Sequence, residues 1–155
     1  MPQIKGATPT YYNGVKYRSK LEAGCAKVLD EAGIEFQYEP FKLELLPKFI
    51  YMGKTYQQWT YTPDFVILDN IILEAKGFKK ADNYVNKRKM ILKHILDNDL
   101  NYMFFEIYSE SHLRSVLNKY KKSNSFSNAY KEYDEELKAR QKARRTKKKM
   151  KCLKN

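Results

Sequence analysis

Between Tyr61 and Gly77 lie two short apolar runs, Phe65-Val66-Ile67-Leu68 and Ile71-Ile72-Leu73, separated only by Asp69-Asn70. A connection that short holds no crossover, so the runs turn back on each other as antiparallel strands. The second run is apolar without alternation, as expected of an interior strand covered on both faces. The rest of the chain has to surround this hairpin. Its first strand, Tyr61–Leu68, carries Pro63 at the entrance, where a missing N–H is tolerated. Its second, Ile71–Lys76, is closed by Gly77.

The remaining pattern supplies the cover. Tyr11 to Tyr17 reads as a small hairpin, because Asn13-Gly14 supports a type I′ turn. Ser19 is a good N-cap, and Glu22 three residues later completes a capping-box pattern. Leu21, Cys25, Val28, Leu29 and Ala32 then recur at helical spacing until Gly33, predicting a helix over Ser19–Ala32. Glu35–Glu39 and Phe41–Leu46 are β-like runs ended by Pro40 and Pro47, and Lys48–Gln58 reads as a connector. Ala81–Asn98 is a helix by its stripe of Val85, Leu92, Ile95 and Leu96. Tyr102–Tyr108 is a buried strand, Ser111–Lys122 a further helix, and Ser123–Asn128 a polar break. The expected fold is mixed α/β, a central mixed sheet flanked by helices. The expected organisation is a compact domain over 1–127 and a basic C-terminal extension over 128–155, helical or disordered.

Charge separates these parts. The chain of 155 residues has a formal net charge of +12, yet Lys138–Asn155 holds ten basic residues and no acidic one. The body is nearly neutral and the tail is a cationic arm, suited to polyanions. Arg140, Arg144, Arg145 and Lys147-Lys148-Lys149 are its candidate DNA contacts. Such an arm raises affinity without sequence choice and makes binding salt-dependent. Other classes fall away. No apolar run approaches the roughly 18 residues that span a membrane, and the N-terminus has no apolar core of a secretory signal. A cytoplasmic location is expected. Cys25 and Cys152 make no disulfide framework. His94 and His112 lack the neighbours of a zinc site. There is no glycine-rich phosphate loop and no Gly-x-Ser-x-Gly elbow.

Chemistry concentrates on Glu22, Asp64, Glu74 and Lys76. Strand alternation puts Glu74 and Lys76 on one side, and a turn at Asp69-Asn70 brings Asp64 opposite or nearly opposite Glu74. Paired carboxylates repel and need a cation. Mg²⁺ is a hard ion that accepts carboxylates, keeps waters and bridges to phosphate. Each residue also has a plain structural reading. Glu22 completes a capping box, Pro63-Asp64 makes a strand-edge device, and Glu74-x-Lys76 forms a solvated ion pair. The ordered set is more specific than any member. Arg88 lies on the apolar stripe of its helix, either snorkelling or aimed at the site. Lys87 and Lys89 point to solvent or DNA phosphate.

Four segments then stand in order: Tyr17-Arg18-Ser19-Lys20-Leu21-Glu22, Gly33-Ile34-Glu35-Phe36-Gln37-Tyr38-Glu39, Tyr61-Thr62-Pro63-Asp64-Phe65 and Leu73-Glu74-Ala75-Lys76-Gly77. Together they resemble the PD-(D/E)XK nuclease superfamily, and within it the bacteriophage endonuclease I group of Holliday-junction-resolving nucleases. The resemblance spans residues 17–77. It implies a restriction-endonuclease-like core and a Mg²⁺-dependent endodeoxyribonuclease, with Mn²⁺ as a substitute. By this resemblance Asp64, Glu74 and the Ala75 carbonyl bind the first metal and Glu22 a second. Lys76 assists the attacking water. Arg18 matches a basic residue beside the helix start and faces phosphate; Lys20 is a further candidate DNA contact. The implied substrate is branched DNA in phage recombination or replication, in the host cytoplasm. Phage resolvases of the group are dimers with exchanged strand elements. The connector Lys48–Gln58 falls where that bridge would lie but is longer, so a homodimer stays an open expectation. Two alternatives remain on the sequence: a sequence-specific, nicking or homing-type endonuclease of the same fold, and a non-catalytic DNA-binding accessory protein.

Overall fold

A computed structural model describes residues 7–77 and 82–152. The order is β1 (Thr10–Tyr12), β2 (Val15–Tyr17), α1 (Lys20–Glu31), β3 (Phe36–Tyr38), β4 (Leu43–Leu46), β5 (Phe49–Tyr51), β6 (Lys54–Tyr56) and β7 (Trp59–Tyr61). It continues with β8 (Phe65–Ile67), β9 (Ile71–Ala75), α2 (Asp82–Asp97), β10 (Met103–Ile107), α3 (Glu110–Ser123) and α4 (Phe126–Cys152). The chain divides into two compact units, Met1–Glu110 and Ser111–Asn155. Among the described residues no helix is long and apolar enough to cross a membrane.

The first unit is built on a four-stranded sheet, ordered β10-β9-β8-β3. β9 and β10 are parallel while β8 pairs antiparallel with both β9 and β3, so the sheet is mixed. The α/β class is therefore as expected. The central hairpin pairs Phe65 with Leu73, Val66 with Ile72 and Ile67 with Ile71. Its turn takes three residues rather than two, with Leu68 and Asp69 at left-handed φ of 49° and 68°. One more step of that register sets Asp64 across from Glu74.

Both faces of the hairpin are covered. Val66 and Ile72 pack with Tyr61 and with Ile91 and Ile95 of α2. On the opposite face the Phe65 ring meets Tyr17, Phe36 and Tyr38, and α1 lies against β9. Ile72 and Leu73 are 0% and 1% exposed although they point to opposite faces. Burying two such side chains stabilises by about 2 kcal/mol each, which explains the lack of polar alternation in this strand.

α1 forms where its signals predicted. Ser19 Oγ accepts from the Glu22 N–H at 3.1 Å. At the other end Gly33, at φ 70°, lets its N–H reach the Asp30 carbonyl while the Ile34 N–H reaches that of Leu29, a Schellman stop. The β1–β2 hairpin turns on Asn13 and Gly14, both left-handed, as Asn-Gly implied.

Three expectations need correction. Tyr61–Leu68 is not one strand. β7 pairs with β4 and β8 belongs to the central sheet, with Thr62-Pro63-Asp64 passing between them. Pro63 has no N–H for a ladder, so pairing stops there. The connector Lys48–Gln58 is itself structured: β5 and β6 pair as a hairpin around Met52-Gly53. The polar break Ser123–Asn128 shrinks to Asn124 and Ser125, because α4 begins at Phe126.

In the second unit α3 and α4 are joined by rings and charges. His112 stacks on Tyr133 at 4.9 Å between ring centres, and Tyr120 meets Phe126. Lys119 Nζ bridges Glu132 and Glu136 at 2.9 and 2.6 Å. The basic segment continues α4 as helix, and residues 138–152 are all exposed. The ion pairs Lys138–Asp134 and Arg140–Glu136 join its acidic start to its basic end. Lys151 and Cys152 close the helix, and Lys154 lies outside the described residues.

Candidate active site

Four elements of the first unit bring charge to one corner. α1 supplies Glu22 one turn after its N-cap. The chain just before α1 supplies Arg18. The Thr62-Pro63-Asp64 passage supplies Asp64, and the end of β9 supplies Glu74, with Lys76 just beyond it. Glu22, Asp64 and Glu74 are 6%, 3% and 6% exposed. Carboxylates so buried must be paired or hydrogen-bonded.

Each one is. Asp64 Oδ2 accepts from the Ala75 N–H at 2.8 Å, and Oδ1 from Arg18 Nη2 at 2.6 Å. Glu74 Oε2 accepts from the Tyr61 hydroxyl at 2.8 Å, and Oε1 lies 3.0 Å from Lys76 Nζ. Glu22 Oε2 accepts from the Tyr38 hydroxyl at 2.5 Å and from the Arg18 N–H at 3.2 Å. Glu22 Oε1 accepts from the Ser19 hydroxyl at 3.2 Å. The capping reading of Glu22 is thus half realised. Its N–H goes to Ser19, but its carboxylate takes the N–H of Arg18 instead of the N-cap's own.

The electrostatics follow from burial and crowding. Burial, then Glu74, then Glu22 push the Asp64 carboxyl well above the usual carboxylate range; the Ala75 N–H and Arg18 only partly offset this. The same charges and hydrogen bonds, with burial first, push the Tyr61 and Tyr38 hydroxyls up and keep them as donors. Burial also raises the Cys25 thiol, with Asp64 and Glu110 adding to it. Cys25 is therefore an inert core residue.

Other candidates land differently. Lys87 is half-buried rather than solvent-facing: its ammonium is 5.9 Å from the centre of the Tyr61 ring, and burial lowers its pKa. Arg88 Nη1 pairs with Glu106 at 2.7 Å. Glu106 is in register with Glu74 on the neighbouring strand, so Arg88 is aimed along the site's edge. Lys20, Lys89, Arg140, Arg144, Arg145 and Lys147 to Lys149 are exposed. The sequence reading missed Tyr38, Tyr61, Tyr84 and Glu106. Tyr84 places its ring 4.3 Å from Lys76 Nζ and donates to Glu106 at 2.9 Å. For Glu106 there was a signal, the lone charge in an otherwise apolar strand.

The donor set suits a hard cation in kind: buried carboxylate oxygens, with no thiolate or imidazole beside them. Among the described residues no three His, Cys, Asp or Glu side chains stand in a ready metal cluster. The oxygens are instead held by the donors named above.

Tyr61→Phe tests this scaffold. It leaves a buried carboxylate oxygen without its donor, which costs about 2 kcal/mol. Urea unfolding should show that loss. An unchanged midpoint would mean that the Tyr61–Glu74 bond contributes nothing.

Comparison with known proteins adds a lineage. The family model described as phage endonuclease I matches residues 5–142. Endonuclease I of Escherichia phage T7 is 32% identical over 78 residues, 50% of this chain and 46% of that protein. Endodeoxyribonuclease 1 of Enterobacteria phage T3 is 30% identical over 81 residues, 52% of this chain and 47% of that protein. The chain thus spans about half the length of the curated relatives it matches. No solved structure gives a significant match.

Proposed function

The chain belongs to the phage endonuclease I family, and on that premise we propose that it is a Mg²⁺-dependent DNA endonuclease acting on branched DNA. The observation that carries this reading is the convergence of buried Glu22, Asp64 and Glu74 with Lys76 at one corner of the sheet. Three carboxylates there face two close cations, Arg18 and Lys76, so the site favours additional positive charge.

Asp64, Glu74 and the Ala75 carbonyl would hold the first Mg²⁺ and Glu22 would contribute to a second, with Mn²⁺ as a substitute. The chemistry such an ion supplies is polarisation of the phosphate and a lowered pKa of its bound water. The protein's own groups do the rest. Lys76, between Glu74 and the Tyr84 ring, orients the attacking water or stabilises charge on the phosphate. The Ala75 N–H and the Tyr61 hydroxyl fix the carboxylate rotamers, so little reorganisation is left for the reaction. The exposed basic end of α4 supports a DNA substrate held through phosphates. Preference for a branch follows the junction-resolving group that residues 17–77 resemble.

Cleavage of a four-way junction, a linear duplex and a single strand of matched sequence in Mg²⁺ tests the proposal. Cuts should fall near the branch, and Lys76→Ala should lower the rate about a hundredfold or more. Cuts fixed by sequence in the linear duplex would instead support a sequence-specific endonuclease. No cutting of any substrate, with DNA still bound, would leave an accessory binding protein.

A further inference from the structure

All six oxygens of Glu22, Asp64 and Glu74 have a donor, and the donors differ in kind. The Ala75 N–H belongs to the end of β9, and the Tyr61, Tyr38 and Ser19 hydroxyls sit on ordered elements. The other side-chain donors are two flexible cations. Lys76 stays local, two residues from Glu74 on its own strand line. Arg18 reaches across the fold to Asp64, 46 residues away.

Its guanidinium lies among three carboxylates. Nη2 is 2.6 Å from Asp64 Oδ1, and Nε is 2.9 Å from Glu39 Oε1 and 3.7 Å from Glu22 Oε2. The two acids at the core of the site are 4% and 8% exposed at their side chains, whereas Glu39 is 31% and Arg18 44% exposed. Arg18 therefore has a way out, with Glu39 on the outer side. Glu39 is placed for this by an uncommon backbone. Its φ is 46°, left-handed for a non-glycine residue, and its N–H donates to the Asp64 carbonyl at 3.0 Å. Such a conformation persists only when its surroundings impose it, and such outliers cluster at functional sites.

Arg18 holds Asp64 Oδ1 at 2.6 Å, so a cation coming to that oxygen meets a like charge in contact with it and competes with the guanidinium for the same carboxylate. We propose that Arg18 is a built-in counter-ion that competes with the divalent metal for Asp64. On metal entry its guanidinium leaves Asp64, keeps the Glu39 contact it already makes, and turns towards solvent, where it can take a DNA phosphate. Metal binding and phosphate binding are thereby coupled through one side chain, since phosphate draws Arg18 off the carboxylates that the metal needs. This inference rests on the metal-dependent reading above and adds to it a competitor within the chain.

The test is Mn²⁺ binding to the full chain without DNA, followed by the electron paramagnetic resonance signal of free Mn²⁺. Arg18→Gln should bind Mn²⁺ up to about fivefold tighter than wild type, the equivalent of removing one part-exposed charge pair. The same variant should bind uncleaved DNA more weakly in Ca²⁺. A merely structural arginine would not yield that pair of opposite signs. Equal or weaker Mn²⁺ binding by Arg18→Gln, with wild type binding normally, overturns the competition alone. Absence of Mn²⁺ binding in both proteins overturns the metal reading as well. Should the variant not fold, the wild type decides by nuclear magnetic resonance during Mg²⁺ titration. The Arg18 Nε–H signal should move in step with the Ala75 amide. An Ala75 amide that shifts while Arg18 stays fixed rejects the proposal, and two unmoved signals reject both readings.

Discussion

Asp64→Asn should abolish the proposed cleavage, lowering the rate about a thousandfold or more, while the protein should stay as stable as wild type or gain stability. The first half follows from the proposed role of Asp64 as a charged metal ligand: several kcal/mol of transition-state stabilisation would depend on the metal, and each 1.36 kcal/mol is about a factor of ten. The second half follows from the energetics of the corner. Asp64 is 3% exposed and crowded by Glu74 and Glu22, and these influences hold its carboxyl above the usual range. An asparagine keeps one oxygen for the Ala75 N–H. Arg18 loses Asp64 but retains Glu22 and Glu39, so no buried charge is orphaned.

The sign with pH is definite. A carboxyl with a raised folded-state pKa holds its proton longer when folded than when unfolded. Its contribution to stability is present below the unfolded value and lost as pH rises through the folded one. Urea unfolding in chelator should therefore show Asp64→Asn gaining on wild type as pH rises from the ordinary carboxylate range towards neutrality. Saturating Mg²⁺ should reverse the order. Bound as proposed, it would stabilise wild type by about 2.7 kcal/mol at a hundred times its dissociation constant, and the variant little. A variant that cleaves within tenfold of wild type, or gains equally from Mg²⁺, would remove Asp64 from the site.

Local signals carried much of this into the sequence. The Ser19 cap and the Gly33 stop bound α1 because they act within a few residues of the helix ends. Asp64 and Glu74 could be set face to face because a short turn fixes register. What stayed hidden depends on distance or on tolerated strain. The Arg18–Asp64 pair and the tyrosine donors come from elements that only the fold brings together. Met52-Gly53 makes the same kind of turn as Asn13-Gly14, with φ of 48° and 75° in both. Asparagine announces a left-handed residue and methionine does not, so β5–β6 read as a connector. Tyr61–Leu68 read as one strand because its composition is β-like throughout. Only pairing partners reveal that the chain changes sheets at Pro63.

Removal of residues 138–155 should separate holding DNA from cutting it. The segment contributes ten basic residues and none of the groups at the corner of the sheet. Its described part, 138–152, is helical and exposed, and spans about 22 Å at 1.5 Å per residue. Basic side chains surround the helix, so a straight duplex meets only one side of it, and about four phosphate contacts are a reasonable number. At about −0.9 per contact, the log–log salt slope of binding should flatten by about 3.6 on truncation. The arm's contribution to affinity then shrinks over a hundredfold between 50 and 200 mM salt, so truncated and full chains should differ most at low salt and converge as salt rises. Filter binding across that range, in Ca²⁺ to prevent cleavage, reads the slope directly. With DNA saturating, the truncated chain should cut at close to the full rate, because the charge it lacks acts on encounter and residence rather than on the phosphorus. An unchanged salt slope would mean that the helix does not lie on DNA. A collapse of the saturated rate would mean that α4 helps to build the catalytic corner.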